Sequence, residues 1–300
     1  MTGVPLLQLN DIRRSFTASG RTIHALRGVS LSLEHGKTLG IVGESGSGKS
    51  TLGRIAVGLD TPSKGSVVID GTDVASLNAA RRRECFRSSQ MIFQDPYSSL
   101  NPRLKVGRQI GEGLFASGIG DWREIRERVA DLFVKVGLPP GHADRFPHEF
   151  SGGQRQRIAI ARALAPGPGI IVADEPVSAL DVTIQAQILD LLLDLQKEVS
   201  LSYLFISHDM AVVAHLSNSI GVMHRGRIVE YGPTESIVAN PQHLYTQRLL
   251  KAVPRLGRRR TGEKHVPVEL FDHSDDDPFE TVAPGHHVLV AKALNKKHSP

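Results

Sequence analysis

Cysteine is nearly absent from this chain: Cys85 stands alone among 300 residues. One thiol excludes a disulfide framework and a Cys-rich metal site, and it fits a reducing compartment. Aromatics are scarce at 5%, so the core must rest on Leu, Ile, Val and Ala. No apolar stretch approaches the roughly 20 residues of a membrane span. The first residues lack the positive-then-apolar pattern of a signal peptide. If the protein acts at a membrane, other chains are expected to do the crossing. A large excess of one charge is missing too. The formal net charge of +5 suits an anionic ligand, a membrane surface or nucleic acid, and selects none of them. The length allows one large or two modest domains, and an apolar fraction of 40% supports a globular core.

What is present is a phosphate cradle. Gly43-Glu44-Ser45-Gly46-Ser47-Gly48-Lys49-Ser50 fits Gly-x-x-x-x-Gly-Lys-Ser, the P-loop. A triphosphate needs many backbone N–H groups turned into one concavity, and glycines let the chain wrap that closely. Lys49 reaches the β- and γ-phosphates as a point charge, and the Ser50 hydroxyl can ligate Mg²⁺. The run 38–42 reads as a buried strand entering the loop. Thr51 opens a helical run to Ala56, with its N-terminus aimed at the phosphates.

Along the chain, 6–10, 29–33 and 66–71 read as strands, with Phe16 on a loop between the first two. Gln90 to Phe93 reads as a buried strand. The loop from Gln94 to Arg103 follows, punctuated by Pro96 and Pro102. From Val106 to Val136 the apolar spacing is helical through Ile125, Val129, Leu132 and Phe133, until Pro139-Pro140-Gly141 stops it. A further helix runs from about Gln154 to Leu164. Residues 96–165 therefore read as a helical insertion in an α/β core. The runs 170–174 and 203–207 are apolar, as for central parallel strands, and 184–199 carries one apolar helix face. Strands alternating with helices predict a mostly parallel sheet. Ligands of such sheets bind beyond the carboxyl ends of strands. Lys49, Gln94, Asp174 and His208 all lie just past such ends.

Two further motifs carry chemistry. Asp174-Glu175 follows an apolar strand, which places Asp174 to hold Mg²⁺ and Glu175 to orient or deprotonate an attacking water. The same pair is compatible with ordinary carboxylates at a strand end, and the residues alone leave both readings open. Ser151-Gly152-Gly153-Gln154 opens a helix. Ser151 is a good N-cap, and the glycines expose N–H groups that can take an anion. A plain capped helix start fits these residues as well.

Taken together, the P-loop, Gln94, Ser151 to Gln154, Ile170 to Glu175, Ser178 to Asp181 and His208 stand in the order found in ATP-binding-cassette (ABC) ATPases. The chain resembles such a subunit over residues 4 to about 235. The resemblance implies an α/β P-loop NTPase core with a mostly parallel sheet, an antiparallel β subdomain and a helical insertion. It implies ATP and Mg²⁺ as cofactors. It also implies a head-to-tail dimer with ATP between one subunit's P-loop and the other's Ser151–Gln154 segment. By the same resemblance Phe16, where Tyr is more usual, stacks on adenine. Gln94 contacts Mg²⁺ and the membrane subunit, and His208 contacts the γ-phosphate. Phe150 replaces the Leu usual before the signature serine.

The segments 93–103, 174–187 and 240–250 resemble those of dipeptide, oligopeptide and nickel importer subunits. This implies an ATPase energising peptide uptake, with nickel or another small solute as the alternative. It implies a peripheral place on the cytoplasmic face of the membrane. The partners are then a second ATPase subunit, identical or related, two membrane permeases and an extracytoplasmic solute-binding protein. The expected domains are 1–235 for the nucleotide-binding domain, 236–262 for an importer-type extension and 263–300 for a regulatory or partly disordered tail. The tail resembles the end of the family's regulatory region. It lacks the clustered cysteines of some relatives, so no iron–sulfur cluster is expected. Arg255 to Lys264 is basic, and Asp272 to Asp277 reads as solvated acid. His286 and His287, adjacent on a short strand, point to opposite faces and read as solvated or structural rather than metal-binding. A nucleic-acid ABC ATPase is the less favoured class. It would carry a long coiled coil or zinc insert, or two cassettes, and no nucleic-acid partner is expected.

Overall fold

The computed structural model describes residues 4–18, 20–116, 118, 120–252, 273–275 and 277–290. The strands β1 (Leu7–Ala18) and β2 (Arg21–Leu33) form an antiparallel pair, and the fully buried β3 (Thr38–Val42) runs into the P-loop. Helix α1 (Lys49–Ala56) leaves that loop, and β4 (Lys64–Ile69) and β5 (Thr72–Asp73) follow. Helix α2 (Ala79–Arg87), capped by Asn78, leads to β6 (Ser89–Ile92). The helical region holds α3 (Pro96–Ser99), α4 (Val106–Ala116), α5 (Trp122–Lys135) and α6 (Gly152–Leu164). Then come β7 (Ile170–Asp174), α7 (Val182–Val199), β8 (Ser202–Ser207), α8 (Met210–Leu216), β9 (Ser219–His224) and β10 (Arg227–Pro233). Helices α9 (Thr234–Ala239) and α10 (Leu244–Ala252) and the hairpin β11 (Phe279–Ala283) and β12 (His286–Leu289) complete the described chain.

Two sheets result. The smaller is antiparallel in the order β2-β1-β4-β5, and the larger runs β11-β12-β10-β9-β3-β8-β7-β6. Within the larger sheet β9, β3, β8, β7 and β6 are parallel, so their carboxyl ends share one edge. Side-chain alternation explains how one apolar run serves two layers. From β7, Ile171 and Ala173 pack toward the helical region, whereas Ile170 and Val172 pack toward α1 and the antiparallel sheet. Each of these four is 0% exposed, and full burial of a side chain such as Ile is worth roughly 1.5–3 kcal/mol. The described residues contain no helix long and apolar enough to cross a membrane.

Several expectations need correction. The helical run 106–136 is two helices, because the chain turns at Gly118 and Gly120, both at positive φ. They pack where a side chain at Gly111 would strike Ile125. Phe16 lies on β1, opposite Ile23, rather than on a loop. The strand continues through register shifts near Asn10 and Arg14 that break its alternation, so only its first half is legible as a strand. The 94–103 loop contains the short helix α3. The acidic stretch 272–277 is not all solvated: Asp277 is buried. Its carboxylate accepts from the Ser274 N–H at 2.9 Å and the Ser274 hydroxyl at 2.8 Å. Residues 279–289 are a hairpin on the edge of the larger sheet. There His286 is buried against Glu230 at 2.7 Å and His287 stacks on Tyr231. The basic run 255–264 lies outside the described residues.

Candidate functional site

The P-loop is shaped by close quarters on both sides. A side chain at Gly48, whose φ is +107°, would sit 2.4 Å from the Ala25 carbonyl oxygen of β2. One at Gly43 would sit 2.1 Å from the Met223 carbonyl oxygen of β9. Both contacts are with backbone, which cannot swing aside, so glycine is required at each. Behind the loop, the Gly226 N–H donates to the Ser47 carbonyl at 2.9 Å.

Lys49 begins α1 and is 4% exposed. Its ammonium donates to the carbonyls of Gly43 at 2.7 Å and Glu44 at 2.8 Å. Burial holds its pKa below the ordinary lysine value, while Glu175, Asp174 and Glu44 pull the other way. A buried cation resting mainly on neutral carbonyls is a receptor for a strong anion.

Opposite stands the acidic side. Asp174 ends β7 and accepts from the Ser50 hydroxyl at 3.0 Å. Burial pushes its carboxyl above the usual range, against the Ser50 hydrogen bond. Glu175 follows at φ 47°, a left-handed conformation that costs a non-glycine residue roughly 1–2 kcal/mol. Its N–H is tied to the Ile206 carbonyl at 2.9 Å, so the chain turns sharply between the two acids. The Glu175 Oε2 accepts from the Gln94 amide at 3.2 Å and lies 3.1 Å from His208 Nδ1. Gln94, Glu175 and His208 thus form one row across the carboxyl ends of β6, β7 and β8.

Lys49, Ser50, Thr51, Gln94, Glu175 and His208 line a single cavity of about 1070 Å³, together with Glu44, Ser45, Gly46 and Gly48. Gly43, Ser47 and Asp174 are not part of that lining. Phe16 does not line this cavity: its ring packs under the Arg14 guanidinium, 4.7 Å from the ring centre. Ile23, His24 and Ala25 of the neighbouring strand line it instead. Ser151, Gly152, Gly153 and Gln154 are also elsewhere. Ser151 is exposed and caps α6, accepting from the Gln154 N–H at 3.3 Å, while the Gln154 side chain accepts from the Ser151 N–H at 3.0 Å. A side chain at Gly153 would lie 2.5 Å from Ile184 of α7, so that glycine serves helix packing as well.

The residues fit a magnesium-bound nucleotide. The described residues hold no group of three or more His, Cys, Asp or Glu able to cage a metal alone. A hydroxyl and one carboxylate, Ser50 and Asp174, are instead the partial set that suits Mg²⁺ bound largely through phosphates and water. Sequence reasoning missed Leu249 and Asp275 on the cavity wall. It also missed Tyr245, whose hydroxyl accepts from the Glu44 N–H at 2.9 Å. Nothing local marks them, since each lies far along the chain from the loop.

A family model described as ABC transporter matches residues 26–178. A second, described as oligopeptide/dipeptide transporter, C-terminal region, matches residues 229–273. The chain is 44% identical to the oligopeptide transport ATP-binding protein OppF of Bacillus subtilis, over 98% of this chain and 99% of that protein. It is 48% identical to the dipeptide transport ATP-binding protein DppF of Escherichia coli, over 84% of its own length and 77% of that protein. It is 46% identical to the glutathione import ATP-binding protein GsiA of Salmonella typhimurium over 95% of its length, but spans only 48% of that relative. Among solved structures, a dimeric ATP-binding cassette in a post-hydrolysis state bound to ADP and Pi aligns with a TM-score of 0.69 and 31% identity, covering 76% of this chain and 98% of that one. With its motifs in order on this fold, and with both models and relatives agreeing, the chain belongs to the ABC transporter family and carries the C-terminal region of its oligopeptide/dipeptide members.

Proposed function

We propose that this chain is the ATP-hydrolysing subunit of an importer of di- or oligopeptides, seated peripherally on the cytoplasmic face of the membrane. The observation that carries it is the Gln94–Glu175–His208 row, facing a buried lysine across one cavity. In this reading Lys49 leaves its two carbonyls for the β- and γ-phosphates. Ser50 and Asp174 hold Mg²⁺, which supplies charge neutralisation for the phosphates when bound. Glu175 orients the attacking water and takes its proton, with His208 and Gln94 fixing the carboxylate's direction. The diverging backbone at Glu175 lets one acid serve the metal and the next the water. The α1 N-terminus adds backbone N–H groups at the phosphates.

The Ser151–Gln154 start of α6, exposed at Ser151 and half-buried beyond it, lies outside its own chain's cavity, which supports a second ATPase subunit, identical or related, whose nucleotide it meets. Phe16 sits beside the cavity wall at Ile23, which supports a place near the base rather than the phosphates. Two membrane permeases and an extracytoplasmic binding protein complete the transporter. The names of the relatives favour peptides over nickel as cargo. The test is ATP hydrolysis by the assembled transporter with its binding protein. Short peptides should stimulate turnover severalfold; stimulation by nickel and by no peptide would overturn the cargo assignment.

A further inference from the structure

Glu44, inside the P-loop, has a backbone N–H that is already committed. It donates to the Tyr245 hydroxyl at 2.9 Å, across 201 residues of sequence. Tyr245 lies on α10 and is 1% exposed. Burial, ahead of the other influences, pushes its pKa up to about 12, so the oxygen is a neutral phenol. The Tyr245 ring lies 4.5 Å from that of His224, centre to centre. His224 ends β9, and the Gly226 N–H just after it donates to the Ser47 carbonyl at 2.9 Å. Both ends of the turn 44–47 are therefore held from the same side. One is held by the core strands and the other by the C-terminal extension.

Tyr245 is itself braced. Its N–H donates to His243 Nδ1 at 3.1 Å. Burial, with His273 and His224 adding to it, pushes the His243 pKa down to about 3, which keeps the ring neutral. A neutral imidazole that accepts at Nδ1 carries its proton on Nε2, and this nitrogen lies 2.8 Å from His273 Nε2. His273 then donates from Nδ1 to Asp277 Oδ2 at 3.1 Å. The polarity runs one way, from the Tyr245 amide to a buried carboxylate of the tail.

We infer that Tyr245 is a positioning residue of the nucleotide site: its hydroxyl holds the Glu44 N–H and so fixes the turn 44–47 in the shape that receives phosphates. This rests on the P-loop being the nucleotide site, which a Lys49 variant tests separately. Tyr245→Phe keeps the ring in the core and deletes only the acceptor. Titration of the full chain with a non-hydrolysable ATP analogue and Mg²⁺ should show affinity falling about 3–10-fold, the range expected for one lost hydrogen bond. Hydrogen exchange at the Glu44 amide should quicken in the same variant, a change that mere loss of ring packing does not produce. Leu244→Ala, on the same helix but exposed, should leave both readings as they are. Unchanged affinity in Tyr245→Phe would overturn the inference. So would a Glu44 amide in the native, nucleotide-free chain that exchanges at the rate of an open loop, a measurement that needs no variant.

Discussion

Two helices of this molecule begin with glycine-rich turns, and their starts differ in what already occupies them. Helix α1 has Gly48 at its N-cap and no side-chain acceptor for its first N–H groups. Helix α6 has Ser151 there, and a reciprocal pair with Gln154 satisfies its end from within. A helix start leaves several backbone donors without partners, and something must take them. At α1 the sequence supplies no cap, encloses the position between β2 and β9, and buries Lys49 beside it. At α6 the cap is built in and the serine faces solvent. The first is a near-complete anion site within one chain. The second has one wall, and on its own it can offer a nucleotide only a hydroxyl and a short run of backbone. Completeness follows from the company a helix start keeps, and the shared motif chemistry alone does not supply it.

The comparison can be broken most severely at Lys49. Lys49→Ala removes the only side-chain cation that starts α1, so nucleotide binding to the isolated chain should be abolished while the fold survives. Ser151→Arg should leave that binding unaltered. Wild-type ATP affinity in Lys49→Ala would refute the assignment of α1 as the phosphate site. The next largest effect belongs to Glu175. Glu175→Gln keeps the hydrogen bonds of the row but loses basicity, and a general base typically contributes about 10²–10⁴ in rate. Single-turnover hydrolysis should fall by that much, with nucleotide binding retained; a wild-type rate would move the role to another residue. The smallest effect within a single chain, and the sharpest for the comparison, is at α6. Ser151→Arg alone should stop turnover only after assembly. Mixing it with Lys49→Ala subunits, or placing the two changes in opposite ATPase subunits of the transporter, should restore hydrolysis from one intact composite site. Absence of rescue in both settings would count against a shared site.

The legible and illegible parts of the site divide along a similar line. The P-loop, the strand 38–42 and the strand 170–174 were readable with their boundaries. Each is contiguous, and each is explained by local sterics or by an apolar run buried on both faces. The sequence places Lys49, Gln94, Asp174 and His208 past strand ends, but that Ser50 meets Asp174 and Gln94 meets Glu175 is seen only in the structure. Phe16 was misplaced because β1 continues through bulges that disrupt alternation, and neither Arg13 nor Arg14 looks like a strand residue. The break between α4 and α5 was invisible because the apolar period resumes on the far side of the glycines.

By itself, the amino-acid sequence determined the side-chain types and their order: a cation at Lys49, a hydroxyl at Ser50 and paired carboxylates at Asp174 and Glu175, set after apolar runs that read as strands. Only the tertiary structure decided the shape of the loop that carries them. Gly43 and Gly48 are required because Met223 and Ala25 pass within contact distance, and the Glu44 amide is held by a tyrosine 201 positions away. Such contacts depend on how the strands and the C-terminal extension pack. A motif encodes what its own residues can do, and packing alone determines which distant backbone or hydroxyl comes to rest against it.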